Sequence, residues 1–165
     1  MTKIRAILDP SMKSMAYIPH GIVLVEFGRE TYNGIPVPVC PERVEGDGKR
    51  VDSLLDRFTA PETKKEMTRL LHSVSRRHAI LSLWGDDAQL MDAGSRNGVY
   101  IKGGGIGGAD KKLGSGEKFT LQNRTVFLLG AWPLRFLDDP KDIESAMKEK
   151  PGIYRVTNLP ATDQP

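Results

Sequence analysis

Two polar motifs, each beside a run of β-forming residues, decide the fold of this chain: SRRHAILSLW at residues 75–84 and DAGSRNGVYI at residues 92–101. In the first, the partial alternation after Arg77 is typical of a half-buried strand. In the second, the Asn97-Gly98 pair favours a tight turn before another short strand. Each motif therefore predicts polar side chains in a loop at a strand end, where rigid scaffolds carry binding residues.

Strand-like segments recur along most of the chain on either side of these motifs. The clearest is Ile22 to Phe27, which is rich in β-branched residues and is followed by Gly28-Arg29. Further candidate strands lie at residues 3–8, 15–18, 89–91, 99–101, 118–121, 125–129 and 132–137. The segments at 118–121 and 125–129 are predicted to form a hairpin. Short strands at regular spacing indicate an all-β sandwich.

Three stretches depart from the β pattern. Residues 51–58 and 61–71 look helical, and Pro61 suits the first position of a helix. Residues 142–150 predict an amphipathic helix that ends at Pro151. The polar, proline-containing residues 156–165 are expected to form a mobile tail.

The composition favours one compact domain with a surface of mixed charge. The chain has 165 residues, a hydrophobic fraction of 39% and a net charge of +3. Its single cysteine, Cys40, excludes a disulfide within the chain and favours a reducing compartment, so a cytoplasmic location is predicted. The apolar runs are too short to span a bilayer, and no membrane insertion is expected.

Three motifs together resemble the forkhead-associated (FHA) family: Gly28-Arg29, Ser75-x-x-His78 and Asp92-x-x-Ser95-x-Asn97-Gly98. They occur in the family's order, each next to a predicted strand, and the resemblance covers about residues 3–137. It implies an all-β, FHA-type (SMAD/FHA-like) β-sandwich of about 11 strands. It also implies a division of the chain into an FHA domain at residues 1–137 and a C-terminal extension, with a short helix and the tail, at residues 138–165.

The implied function is the binding of a Thr-phosphorylated partner protein, the substrate of a Ser/Thr kinase. The planar guanidinium group of arginine matches the oxygens of a phosphate, and a serine hydroxyl with loop amides can complete the shell. In this family the loops hold the phosphothreonine and the peptide main chain beside it. The resemblance therefore implies that the phosphopeptide is bound by Arg29, Ser75, Arg76, Arg96 and Asn97.

A second set of residues is expected to support the loops. In the family the histidine of the Ser-x-x-His motif braces the loops by hydrogen bonds, and the glycine after asparagine serves the turn. The supporting set comprises Gly28, His78, Asp92, Ser95 and Gly98.

The chain departs from the family pattern at four places. Val99 replaces the usual threonine after Asn-Gly, Lys102 stands where an asparagine is common, and the other two concern Arg96 and the spacing of the motifs. Arg96 stands where the family often has threonine, so a hydroxyl contact is exchanged for a positive charge that either binds phosphate or points to water. The 45 residues between Arg29 and Ser75 exceed the family's usual spacing. They predict a partly helical insertion, at about residues 30–74, immediately before the phosphate-binding loop.

Other functions have less support in the residues. The three histidines and one cysteine form no metal-ligand pair, and no phosphate-binding Walker loop or nucleophile elbow is present, so neither catalysis nor a metal or cofactor is expected. Basic residues are interleaved with acidic ones, which argues against nucleic-acid binding. The alternative that stays open is an FHA-like scaffold that binds a protein without phosphate, through the insertion. Membership of a larger complex is also left open.

Overall fold

The computed structural model describes residues 4–30, 34–39 and 61–156, which form twelve strands, two α-helices and one short 3-10 helix at Ile106–Gly108. The α-helices are α1 (Pro61–Leu71) and α2 (Pro140–Lys148). The strands are β1 (Arg5–Asp9), β2 (Ser14–Ile18), β3 (Leu24–Gly28), β4 (Gly34–Pro36), β5 (Ala79–Trp84), β6 (Asp87–Asp92), β7 (Val99–Ile101), β8 (Lys111–Lys112), β9 (Lys118–Thr120), β10 (Val126–Leu129), β11 (Trp132–Leu137) and β12 (Gly152–Arg155).

The strands form two sheets that pack as a sandwich, as the sequence predicted. One sheet has the order β12-β2-β1-β11-β10-β7-β8, and the other has the order β4-β3-β5-β6-β9. Alternation along β5 shows how the core is made, since Ala79, Leu81 and Leu83 are buried while the residues between them are partly exposed. Phe27 and Phe127 join the sheets through an edge-to-face contact with 5.6 Å between ring centroids.

The segment that links β4 to β5 contributes to the core of the sandwich. Residues of β4 and of the stretch after it, and the apolar face of α1 with the turn that follows it, belong to the main buried cluster: Ile35, Val37, Val39, Met67, Leu71 and Val74. Strand β4 lies at the edge of its sheet, as expected for a strand that contains a proline, because Pro36 has no backbone N–H to donate. The predicted helix at residues 51–58 and Cys40 lie outside the described residues.

The C-terminal part of the chain completes the seven-stranded sheet. Strand β12 pairs in parallel with β2, and α2 covers the outer face with Ile143 and Ala146 packed on Met15. Helix α2 begins two residues earlier than expected because the Asp139 carboxylate caps it and Pro140 occupies its first turn. Val156, expected in the tail, is buried beside β2, and residues 157–165 lie outside the described range.

One predicted pairing is wrong. Strands β9 and β10 form no hairpin: β9 pairs with β6 in the five-stranded sheet, whereas β10 pairs with β7 and β11 in the other. The short connection between them crosses from one sheet to the other. Its turn is fixed by the amide of Arg124, which donates to the carbonyl of Phe136, and by a positive φ of 74° at Arg124. Alternating residues reveal a strand but not its partner.

A buried carboxylate anchors the segment after β4 to the seven-stranded sheet. Asp9 accepts hydrogen bonds from the Val39 amide at 3.0 Å and from the Trp132 indole nitrogen at 3.1 Å. Burial raises the pKa of Asp9 to about 6, against the opposing effect of these donors.

Neither of the two α-helices in the described part of the chain has the length and hydrophobicity needed to span a bilayer.

Candidate functional site

The predicted binding motifs meet at one end of the five-stranded sheet. Phe27 of β3 lies opposite Ala79 of β5, and Ala79 lies opposite Asp92 of β6, so one row of the sheet ends at all three motifs. The antiparallel order of β3, β5 and β6 produces this arrangement, because one of these strands starts where its neighbours end. The structure therefore brings together loops that are far apart in sequence.

Gly28 allows two of these loops to pack directly on each other. A Cβ atom at Gly28 would overlap the backbone carbonyl of Arg76. Just beyond this contact, the amide of Arg29 donates to the carbonyl of Ser75 at 3.1 Å, and that of Glu30 donates to the Arg76 carbonyl at 3.1 Å. The main-chain hydrogen bonds between β3 and β5 thus continue beyond the strand ends, between residues 29–30 and residues 75–76.

The side chain of Arg29 lies along the same loop. Its Nε donates to the carbonyl of Val74 at 2.6 Å, and the residue is half-buried. This bond orients the guanidinium plane, so that little conformational entropy remains to be lost on binding an anion.

His78 connects the Ser75 loop to the Asn97-Gly98 turn. The ring is fully buried, with Nδ1 accepting from the Ser75 amide at 2.9 Å and Nε2 lying 2.7 Å from the carbonyl of Gly98. Because the Ser75 amide is a donor, Nδ1 must be unprotonated and Nε2 must carry the proton donated to Gly98. The geometry thus requires neutral imidazole.

The pH dependence of stability should report this requirement. Burial lowers the pKa of His78 from its ordinary value of 6.5, although the Gly98 carbonyl and Asp92 oppose the shift. The unfolded chain then binds the proton more readily, so the contribution of His78 to stability is present above pH 6.5 and is lost as the pH falls below it. We expect the urea midpoint to decrease as the pH is lowered from about 7.5 to about 6, above the range in which Asp9 acts.

The control must separate His78 from Asp9, whose raised pKa acts in the opposite direction between 3.8 and about 6. A His78→Gln variant should be less stable at pH 7.5 and lose the part of the pH dependence due to the ring. The exposed His72 provides the matched change, and His78→Gln should alter the pH profile more than His72→Gln does. Equal pH profiles for wild type and His78→Gln would contradict this assignment.

Ser75 faces the second binding loop. Its Oγ accepts a hydrogen bond from the Arg96 amide at 3.0 Å. A hydroxyl that accepts in this way retains its proton for donation. The contact also fixes the distance between the Ser75 loop and the loop at residues 92–98.

Asn97 is held by a residue that the sequence motifs did not single out. Its Nδ2 donates to the carbonyl of Ser73 at 3.0 Å, and the Ser73 hydroxyl accepts from the Ala131 amide at 2.7 Å. A Cβ atom at Gly130, where φ is 62°, would collide with Ser73. The glycine turn between β10 and β11 was the only sequence signal for this packing.

Asp92, Ser95 and Gly98 form the internal bonds of the second loop. The Asp92 carboxylate accepts from the amides of Gly94 at 3.0 Å and Ser95 at 2.7 Å. The Ser95 hydroxyl accepts from the Gly98 amide at 2.9 Å, and Gly98 has φ 87°. These contacts shape the turn that presents Asn97, and Gly98 supplies the left-handed conformation it needs.

Two further arginines at this end, Arg76 and Arg77, each face a glutamate. Arg76 Nε lies 3.3 Å from Glu30, and Arg77 Nε lies 3.7 Å from Glu26. The Arg76 pair is solvent-exposed on both sides and is therefore weak enough to exchange for a stronger anion. Arg77 therefore lies beside Glu26, a partly exposed residue of β3.

A comparison with protein families agrees with the motifs. Residues 65–130 match the model of the FHA domain. The resemblance inferred from Ser75 to Gly98 is thereby confirmed, and the sandwich agrees with it. The match does not include Gly28 and Arg29, which the structure places against the FHA region through Ser75 and Arg76. No curated protein sequence matches the chain significantly.

The solved structures that resemble this chain include FHA domains. EmbR from Mycobacterium tuberculosis, solved with a low-affinity phosphopeptide, has 14% identity and a TM-score of 0.51, covering 83% of this chain and 25% of its own. The FHA domain of the CT664 protein from Chlamydia trachomatis has 18% identity and a TM-score of 0.47, covering 84% of this chain and 99% of its own. The chain therefore spans about a quarter of EmbR, and the EmbR similarity supports the fold alone.

Across the residues that the structure describes, no group of three or more His, Cys, Asp or Glu side chains is arranged to hold a metal ion. The chemistry available at the loop end of the FHA region is hydrogen bonding and charge. Arginine side chains, a serine hydroxyl and a carboxamide lie there in loops that a neutral histidine braces.

Proposed function

We propose that this protein is a phosphothreonine-dependent binding module that recognises a phosphorylated partner protein. The observation that carries the proposal is the convergence of Arg29, Ser75 and Asn97 at one end of an FHA-type sandwich. Their loops are joined by the Arg29–Ser75 main-chain bond, the Ser75–Arg96 bond and the His78 ring. Preorganisation of this kind suits tight recognition of a small dianion.

Each residue has a distinct role in the proposed complex. The Ser75 hydroxyl donates its proton to one phosphate oxygen, and the Arg29 guanidinium supplies charge-assisted bonds to the phosphate or the adjacent peptide carbonyl. Arg76 leaves its ion pair with Glu30 and binds the phosphate instead. Asn97 holds the peptide main chain beside the phosphothreonine, with its amide oxygen as acceptor and its Nδ2 oriented by Ser73.

The proposal also covers what the module does not do. It acts by binding, without catalysis, metal or cofactor, on a substrate of a Ser/Thr kinase, and without nucleic acid. We propose a cytoplasmic site of action, in keeping with the single cysteine. EmbR from Mycobacterium tuberculosis, which resembles this chain in fold, was solved with a low-affinity phosphopeptide, in keeping with the proposed binding mode.

The first test is calorimetric titration of the full chain with an oriented phosphothreonine peptide library, matched unphosphorylated peptides and phosphoserine peptides. We expect binding only with phosphate and preference for phosphothreonine. Ser75→Ala should weaken the affinity by about tenfold, the loss of one bond to a charged group. The serine of β5, Ser82, lies far along the strand from the loops, and Ser82→Ala should bind as wild type.

The result that would contradict the proposal is a folded protein that binds none of the phosphopeptides. Partner binding in a pull-down that persists after phosphatase treatment would instead favour the phosphate-independent scaffold. The insertion would then be the surface to examine.

A further inference from the structure

A cavity beside α2, on the outer face of the seven-stranded sheet, takes no part in the proposed phosphothreonine site. It has a volume of about 550 Å³. Its walls are the turn between β1 and β2, the outer face of β11, and the C-terminal end of α2 with the turn into β12. Its lining residues lie outside the motifs at residues 28–29, 75–78 and 92–98. A cavity of this size suits a small organic molecule.

Three basic side chains line this cavity. Lys13 comes from the turn between β1 and β2, Arg135 from β11, and Lys150 from the turn after α2. All three residues are exposed, and none forms an ion pair with a side chain in residues 4–30, 34–39 or 61–156. Their charges are therefore available to a ligand.

The main chain holds the two lysines in fixed positions. Lys13 has φ 52° and Lys150 has φ 53°, a left-handed conformation that lysine adopts less readily than glycine. The two turns are joined, because the Gly152 amide donates to the Lys13 carbonyl at 3.3 Å and Gly152 pairs with Ser14. Turn formation alone does not explain a lysine at either position, since glycine would form each turn at a lower cost.

The acidic groups that face the cavity do not cancel its positive charge. Asp9 lies in the inner wall, but it is buried and accepts from the Val39 amide and the Trp132 indole. Glu149 is an exposed carboxylate in the lining. Two carbonyls in the last turn of α2 accept from the amides of residues 149 and 150. Three cations thus outweigh these groups, and the field in the cavity favours an anion.

The wall between the cations is apolar. Leu8 packs against the cluster that α2 covers, and Ala146 of α2 belongs to that cluster. Pro10 and Pro151 complete this part of the lining. A ligand that places its anion among the basic side chains would therefore lay an apolar body against Leu8 and Ala146.

We propose that this cavity binds a small phosphate ester, with its phosphate among Lys13, Arg135 and Lys150 and its organic part against Leu8. The arginine offers a planar fork to two oxygens, and the lysines add point charges. A free phosphorylated metabolite and the headgroup of an anionic phospholipid share this chemistry. The inference does not depend on the proposed phosphothreonine site, with which the cavity shares no lining residue.

The test follows amide resonances of the full chain by NMR during titration with inorganic phosphate and with phenyl phosphate. The Gly152 amide reports on the cavity, whereas the Gly98 amide reports on the phosphothreonine loops, so binding at each place is measured separately. Proteins compared are wild type, Lys13→Gly, Arg135→Gln and Lys118→Gln. Lys118 is an exposed lysine of β9 outside the cavity lining, so it controls for net charge.

We expect a saturable shift at Gly152, with phenyl phosphate binding about threefold or more tightly than inorganic phosphate because its ring contacts Leu8. Arg135→Gln should weaken binding by about tenfold, the loss of a charge-assisted bond, and Lys118→Gln by less than about twofold. Lys13→Gly should weaken binding by about threefold without lowering the urea midpoint, because glycine adopts a φ of 52° more readily.

Cosedimentation with phosphatidylcholine vesicles, with and without phosphatidic acid, distinguishes the two sources of the ligand. Binding that requires phosphatidic acid and is lost in Arg135→Gln assigns the site to a lipid headgroup. A Gly152 shift with phenyl phosphate but no binding to vesicles assigns it to a free phosphate ester. Shifts confined to Gly98, or equal losses in Arg135→Gln and Lys118→Gln, overturn the proposal and leave the phosphothreonine site untouched.

Discussion

Arg29→Ala is expected to weaken binding of a phosphothreonine peptide by about 100-fold, the loss of one two-pronged, charge-assisted contact. The expected loss is large because the guanidinium is oriented before the ligand arrives, with Nε bonded to the Val74 carbonyl at 2.6 Å. Arg29→Lys should recover only a small part of the affinity, since an ammonium group keeps the charge but lacks the planar geometry. Calorimetric titration of the three proteins measures both effects.

Arg77→Ala is the matched control for this experiment. Arg77 lies in the same loop system, but it faces Glu26 on the outside of the five-stranded sheet and is 69% exposed. Its removal should change the affinity by less than about threefold. Urea unfolding of each variant verifies that the domain is intact, because Arg29→Ala also removes the donor to Val74. Similar losses for Arg29→Ala and Arg77→Ala would show that only net charge matters, and would place the phosphate elsewhere.

Ile143→Ala should lower the free energy of unfolding by about 2–3 kcal/mol, the cost of a cavity at a buried branched side chain. Ile143 lies on the inner face of α2 and packs with Ala6, Met15 and Leu137 on the outer face of the seven-stranded sheet. Met147 lies on the same helix but is 41% exposed, so Met147→Ala should cost less than about 1 kcal/mol. Denaturant unfolding at pH 7.5 compares the two variants.

The expected loss is large because residues after 137 pack on the seven-stranded sheet and extend it. The Asp142 carboxylate accepts from Arg124 at 2.8 and 2.9 Å, and these bonds hold the pKa of Asp142 down to about 2. With β12 paired to β2, the helix is fastened at both ends. The division at residue 137 stays a prediction, and equal stabilities for Ile143→Ala and Met147→Ala would support a dispensable extension.

The sequence predicted those parts of the fold whose signal is local. Gly28, Ala79 and Asp92 lie at the ends of β3, β5 and β6, which the sequence predicted as strands, and the motifs beside them lie at the same end of the five-stranded sheet. The sequence did not predict which strands pair with each other across the sheets. Residues 118–120 have the pattern of a hairpin strand, yet they pair with β6. The sequence did not predict β12, a strand of four residues that pairs with β2.

The residues of the candidate site also fall into those that the sequence predicted and those that it did not. The sequence predicted Ser75 and Asn97 because their motifs are short and lie next to predicted strands. Ser73 was not predicted, since it matters through its contact with Asn97, which is more than ten positions away in the sequence. Such contacts depend on sheet order and register, which a single sequence does not specify.

The hydrogen bonds of His78 have a consequence for the dynamics of the protein. The His78 amide donates to Phe27, its carbonyl accepts from Ala93, and its ring joins Ser75 to Gly98. Opening any one loop far enough to expose this ring would break contacts to the others. We therefore expect these loops to form one cooperative unit that opens and closes together, so that exposing one loop costs the free energy of opening the whole unit.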